Sequence, residues 1–385
     1  MSLPQAQKAV VIQGPGRAEL VSDHTLPELR DGYILVKTVA VAINPTDWKH
    51  IDYRADAGAL VGCDYSGTVE SVGKGVTKSW KKGDKVYGFV HGSSAIQHEN
   101  GAFAEYIVAK GDLQSHMPGS MSFEEAATLG VGVCTVGQAL YQSLKLPLPT
   151  EPAKEALPLM IYGGSTATGT LAIQFAKLYV HLYSVLPRPL LPHTQYSLSS
   201  KIRAHTWNRS NLKVLTTSSP KNFSLCTSLG ADSTFDYNDP TCAEQIRDTT
   251  TDSLRHAFDC ISLPPTAAIC AAALSSKGGA YSSLLPIDKL PRDDIEKKYT
   301  LAYTVTGETF NLGPTGSVVE GKAEDYAFAK KWWGISEKIF MEGKVKAHPV
   351  SVRKGGLRGV LEGLQEMREG KVSGEKLVYK VAETP

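Results

Sequence analysis

Apolar and polar positions alternate in short runs through the first third of the chain, at 33–42, 67–72, 84–90 and 103–108, each bounded by Gly, Pro or Asp. Period-two runs of that length, broken by turn residues, predict a small, highly curved β-domain from Ala9 to about Gly111. The period changes over 122–145, where Ser122 stands as an N-cap with Glu125 three positions on as its capping-box partner, so a helix pair is expected after the strands. A Pro-rich connector, 146–158, then leads into alternating strands and helices. Strands are expected at 159–162, 212–217, 233–237, 256–261 and 279–285, with helices at 169–178, 221–229 and 265–276. Repeated units of this length are what a doubly wound parallel sheet requires. An amphipathic helix at 323–341 and a last strand at 376–381 are expected to return to the first domain. The fold class is therefore α/β, with a second, β-rich domain, and the boundaries fall at 1–155, 156–315 and 316–385.

One segment breaks the pattern. Roughly 33 residues, 179–211, separate a helix from the next strand, where such connections take about 2–6. With three prolines and no clean period, the segment fits an insertion in a surface connection; a functional lid is the competing reading.

Composition narrows the function classes. A chain of 385 residues that is 42% hydrophobic can bury one or two ordinary cores, so two domains are expected. Lys+Arg 41 against Asp+Glu 39 leaves no electrostatic footprint for nucleic acid and no polybasic tail for a membrane. The six cysteines are scattered without a Cys-x-x-Cys pair, which argues against a disulfide framework and a structural zinc lobe and favours a reducing, cytoplasmic setting. No run approaches the roughly 20 apolar residues that span a bilayer. The two sequons at Asn208 and Asn222 are then chance matches.

The chemistry-bearing motif is Gly163-Gly164-Ser165-Thr166-Ala167-Thr168-Gly169-Thr170, placed between an expected strand and an expected helix. Glycines there let the backbone approach a pyrophosphate, the helix N-terminus offers free N–H groups, and Ser165, Thr166 and Thr168 add hydroxyl donors. The next strand ends Thr217-Ser218-Ser219-Pro220-Lys221-Asn222. It lacks the carboxylate that would accept from a ribose 2′-OH, and Lys221 is close by, so NADPH is favoured over NADH. Tyr237 is either a packed aromatic or a face against the adenine.

These residues, with Asn44-Pro45-Thr46-Asp47-Trp48-Lys49, Gly62-Cys63-Asp64-Tyr65-Ser66-Gly67, Gly132-Val133-Cys134-Thr135 and Val305-Thr306-Gly307-Glu308, resemble the medium-chain dehydrogenase/reductase superfamily over nearly the whole chain. Within it they are most similar to the trans-acting enoyl reductases of fungal polyketide synthases. The resemblance implies a GroES-like β-barrel catalytic domain beside a Rossmann domain. It also implies hydride transfer from NADPH to the β-carbon of an α,β-unsaturated thioester on an acyl carrier protein, a transient partner. Zinc-dependent members place a cysteine where this chain has Asn44 and a histidine where it has Cys63; without that cysteine no metal is expected, and Cys63 reads as a buried structural residue.

By the same resemblance Lys49, in the loop after a barrel strand, and Thr135 are the expected catalytic residues. Lys49 would hold the nicotinamide ribose or deliver a proton, and Thr135 would orient substrate or carboxamide; the bland readings are a solvated lysine and helix packing. Thr46, Asp47, Trp48, Leu284, Leu285, Val372 and Ser373 join the cofactor set. Thr128, Leu129, Gly130, Val131, Gly132, Val133, Cys134 and Thr135 would leave room for an acyl chain, facing Val305, Thr306, Gly307, Glu308 and Thr309. A monomer is expected. A zinc-free quinone or 2-enone reductase and a catalytically silent NADPH-binding protein are the alternative functions.

Overall fold

The computed structural model describes residues 3–151, 153–178 and 210–385, so most of the irregular 179–211 stretch lies outside the described residues. The chain divides into two compact units. The first comprises 1–138, 166–171 and 301–385, and the second 139–165 and 172–300. The boundaries drawn on the sequence at 155 and 315 both fall later than these.

The first unit opens with a hairpin, β1 (Ala6–Gly14) and β2 (Arg17–Thr25). A seven-stranded sheet follows, built on β3 (Tyr33–Ala42), which alternation along the chain places correctly at both ends. After β3 comes a helix, α1 (Pro45–Tyr53). Next are β4 (Asp64–Val72), β5 (Lys85–Phe89), β6 (Tyr106–Lys110) and β7 (Gln114–His116). Two helices then run in close succession, α2 (Phe123–Ala126) and α3 (Gly130–Gly137), and the chain continues from α3 into a π-helical turn. Ser122 Oγ accepts from Glu125 N at 3.1 Å while Ser122 N donates to Glu125 Oε2 at 2.9 Å, the reciprocal cap expected from their spacing. The buried core of this sheet gathers Val10, Ile12, Ile34, Val36, Tyr65, Phe103 and Ile107.

The second unit starts at β8 (Leu157–Tyr162), which turns into α4 (Ala167–Lys177). It then alternates β9 (Leu212–Ser218), α5 (Phe223–Ser228), β10 (Ser233–Asp236), α6 (Cys242–Thr249), β11 (His256–Asp259), α7 (Pro264–Ala273), β12 (Gly279–Ser283) and β13 (Ile295–Tyr299). The six strands are all parallel in the order β10-β9-β8-β11-β12-β13. That order reverses between β8 and β11, the point at which doubly wound sheets bind ligands.

The chain re-enters the first unit at Leu301. After two short strands, β14 (Phe310–Asn311) and β15 (Val318–Val319), α8 runs Ala323–Met341, the bounds its apolar period predicts. Strand β16 (Val350–Arg353), helix α9 (Gly356–Arg368) and β17 (Lys376–Lys380) complete it, with β17 antiparallel to β3. No helix among the described residues is long and apolar enough to cross a membrane.

Candidate active site

In the second unit the expected cofactor residues gather at one edge of the parallel sheet. Gly163, Gly164 and Ser165 follow β8, Ser219, Pro220, Lys221 and Asn222 follow β9, Tyr237 follows β10, and Leu284 and Leu285 follow β12. All are at carboxyl ends of parallel strands, the side on which such sheets bind nucleotides. Gly163 takes φ +82, open to glycine at little cost. At Gly164 a Cβ would come within 2.0 Å of Thr216 Oγ1, so the second glycine is needed for space. Gly163 N donates to Thr217 Oγ1 at 3.1 Å and Gly164 N to Thr217 O at 2.9 Å, which fixes the turn to the neighbouring strand. Thr166 Oγ1 accepts from Gly169 N at 2.9 Å, at the start of α4. Lys221 is exposed, Asn222 Nδ2 reaches Ser219 Oγ at 3.3 Å, and no carboxylate stands among 217–222. Tyr237 is half-exposed beside Tyr162, ring centroids 6.3 Å apart. The donor set and the glycine cradle fit a dinucleotide.

The first unit carries the remainder: Thr46, Asp47, Trp48, Lys49, Thr166, Ala167, Thr168, Val372 and Ser373. Val372 packs on the sheet core and Ser373 is exposed. Lys49 is not in a loop, as expected, but on the first turns of α1. The cause is local: Asn44 is an extended N-cap, Pro45 pre-sets the first helical φ, and Asp47 Oδ2 closes back on Asn44 N at 2.7 Å. The Lys49 ammonium lies 5.6 Å from the Trp48 ring centroid, and burial pulls its pKa below the ordinary lysine value.

Asp47 is almost wholly buried, and Oδ1 has no hydrogen-bond partner. Burial, opposed by the Asn44 N–H and reinforced by nearby Asp64, pushes its carboxyl up to about 7. Thr46 Oγ1 is 2.6 Å from the Tyr303 hydroxyl, and Cys63 Sγ is 3.7 Å from that same oxygen. His91 stacks on Tyr303 with centroids 4.0 Å apart, and burial, helped by His50 and Arg54, holds the imidazole neutral down to about 3. Asn44 spends both amide groups on neighbours, Nδ2 on Asp64 at 2.9 Å and Oδ1 on Lys376 Nζ at 2.9 Å. Among the described residues no group of three or more His, Cys, Asp or Glu could hold a metal ion.

Thr135 is 5% exposed on α3, in a stretch from Thr128 to Gly137 that is buried except at Val131. A Cβ at Gly130 would meet Gly88 O at 2.0 Å, and one at Gly132 would meet Leu171 Cδ1 at 2.5 Å. The small residues here therefore serve close approach of neighbouring elements. Val305 is buried and Gly307 turns with φ +67, while Thr306, Glu308 and Thr309 line a cavity together with Tyr33, His91 and Lys110. Glu308 accepts from the Tyr33 hydroxyl at 2.7 Å and pairs with Lys110. The cavity they line is small, about 30 Å³.

Asp64 was legible only as a ligand-type residue, and Lys376, Tyr303 and His50 not as site residues at all. Lys376 meets Asp64 and Thr128, and Tyr303 meets Thr46 and Cys63, each more than 200 residues away in the chain, and no local spacing marks them.

The parallel six-stranded sheet with its glycine turn, joined in one chain to the β-rich unit, is the fold of the medium-chain dehydrogenases/reductases. Residues 30–119 match the alcohol dehydrogenase GroES-like domain. The chain belongs to the trans-enoyl reductases, oxidoreductases of fungal secondary-metabolite biosynthesis. It is 43% identical over 376 residues to trans-enoyl reductase ACTTS2 of Alternaria alternata, covering 97% of this chain and 99% of that one. To trans-enoyl reductase TOXD of Cochliobolus carbonum it is 51% identical over 304 residues, covering 79% and 92%. Among solved structures it is similar to mycobacterial Rv1454c complexed with NADPH, at TM-score 0.69 and 19% identity, covering 97% of this chain and 100% of that one. That last likeness concerns the fold.

Proposed function

We propose that this enoyl reductase uses NADPH to reduce an α,β-unsaturated thioester that a polyketide synthase presents on its acyl carrier protein, and that it works as a cytoplasmic monomer. The observation that carries the cofactor choice is the bare carboxyl end of β9, where exposed Lys221 and the hydroxyl of Ser219 stand in place of an acid. A 2′-phosphate finds a cation there and meets no carboxylate. NADPH, when bound, supplies the hydride for the β-carbon.

The remaining work falls to the chain. Gly163, Gly164, Ser165, Thr166, Ala167 and Thr168 hold the pyrophosphate, and Thr46, Asp47, Trp48, Tyr237, Leu284, Leu285, Val372 and Ser373 complete the cofactor contacts. Thr135 donates its hydroxyl to the thioester oxygen, on which enolate charge develops. Lys49, its pKa lowered by burial, is suited to protonate the α-carbon. Thr128–Val133, Cys134 and Val305–Thr309 would shape the substrate side, chiefly by fixing the backbone around Thr135.

The test is NADPH oxidation followed by absorbance with a crotonyl thioester on an acyl carrier protein, run beside NADH and beside a small quinone. Turnover of the carrier-bound thioester with NADPH is expected. Turnover of the quinone alone would move the reading to a zinc-free quinone reductase, and NADPH binding without turnover of either would make the chain a silent binder.

A further inference from the structure

The ammonium of Lys376, 3% exposed, is paired with a carboxylate that is fully buried. Lys376 opens β17, Asp64 opens β4 and Asn44 follows the end of β3. The registers Asp64 with Ala42 and Val378 with Ala42 bring these three strand ends together, and Ile43 N donates to Leu377 O at 3.1 Å. The chain thus delivers a cation, an anion and an amide to one point from positions far apart in sequence.

All three ammonium protons are used. Lys376 Nζ pairs with Asp64 Oδ2 and donates to Asn44 Oδ1 at 2.9 Å and to Thr128 O at 3.1 Å. Asp64 Oδ2 also accepts from Asn44 Nδ2 at 2.9 Å, and Asp64 Oδ1 accepts from Val131 N at 2.5 Å. Asn44 is the N-cap of α1, which carries Lys49, and Val131 is in the first turn of α3, which carries Thr135. One buried charge pair is therefore tied to the starts of both helices. A pair this deep is poor value as stability alone, because desolvation cancels most of the Coulomb attraction, and an apolar replacement of both partners is often neutral. What an apolar pair cannot do is hold two helix starts in a fixed direction by hydrogen bonds.

We infer that Lys376 is a positioning residue for the reduction: with Asp64 it sets α1 and α3 so that Lys49 and Thr135 stand where the reaction needs them. The inference rests on the reading of those two residues as the donors.

The test uses the full chain with its carrier-bound substrate. Lys376→Met alone leaves Asp64 buried and unpaired, and it is expected to lower the melting temperature. The informative variant is therefore Asp64→Asn with Lys376→Met, in which both charges are gone. It is expected to melt near the parent and to bind NADPH as the parent does, while kcat falls at least about tenfold with little change in KM. Combined with Thr135→Val or Lys49→Met, the effect should be less than multiplicative, since the donor to be positioned is already missing. A paired variant within twofold of the parent kcat, or fully multiplicative effects in both combinations, overturns the positioning role. Full turnover in the Thr135→Val and Lys49→Met single variants overturns the donor reading itself, and this inference with it.

Discussion

The second unit, proposed to bind the nucleotide, and the first, proposed to carry the donors, are specified by sequence in different ways. In the second unit, the turn at Gly163–Gly164 and the end of β9 are each continuous stretches with a readable local pattern, and they meet only across two adjacent parallel strands, where Gly164 N donates to Thr217 O. In the first unit, Asn44, Asp64, Thr128, Tyr303 and Lys376 come from five separate places and make a site only after the sheet has formed. A change in the first kind of site should act on binding. In the second kind it should act through buried polar groups whose partners cannot relax.

The largest effect is expected at Gly164. In Gly164→Val the new Cβ lies 2.0 Å from Thr216 Oγ1, which is itself committed to Ile161 O at 2.7 Å. Overpacking of this kind costs about 1–3 kcal/mol, and the backbone is pushed away from where a pyrophosphate would approach. NADPH affinity, read by fluorescence titration, should fall at least about 100-fold. Affinity close to the parent would mean that the turn is not the cradle it looks like.

Next is the buried carboxyl of Asp47, which tests the catalytic half through pH. Its pKa is 3.8 when unfolded and about 7 when folded, so between those values the folded state holds the proton that the unfolded state has lost. The stability it contributes is fully present below pH 3.8 and is lost as the pH rises through 7. His50 and His91, held near about 3, act in the opposite sense: their contribution is present above 6.5 and is lost on acidification. The difference between Asp47→Asn and the parent isolates the carboxyl. It should be small at pH 4 and grow in favour of the variant up to pH 7, by an amount on the order of 1–4 kcal/mol in urea unfolding. A flat difference would mean that water reaches Asp47.

The same division explains what could be read in advance. The limits of β3 and α8 follow from periodicity, and the Ser122–Glu125 cap from spacing alone. Helix α1 was missed although Asn44, Pro45 and Asp47 spell a helix start, because its nine residues are too polar to show an apolar stripe. Helices α6, 242–249, and α9, 356–368, have no counterpart among the elements expected from the sequence, and α9 carries glycines at 356, 359 and 363 that favour no helix on their own. Those at 359 and 363 instead make room for the Tyr379 ring. The ion pair of Asp64 and Lys376 had no signal in the chain: each looks like an ordinary strand-end charge until β3, β4 and β17 are laid side by side.

The smallest effect is expected where the nucleotide half meets solvent. Lys221 is exposed, so its attraction for a 2′-phosphate is screened and worth far less than a buried pair. Lys221→Glu removes that attraction and adds the acid that a ribose 2′-hydroxyl would bond. The ratio of kcat/KM for NADPH over NADH should therefore fall about tenfold, through the KM values, with kcat nearly unchanged. Raised salt should shrink the difference, because only the exposed charge has changed. If the ratio moves through kcat, Lys221 is coupled to the chemistry, and the separation of binding in one unit from reaction in the other breaks down. If the ratio does not move at all, the preference is set by the hydroxyls of Ser218 and Ser219, and the same measurement on Ser219→Asp decides it.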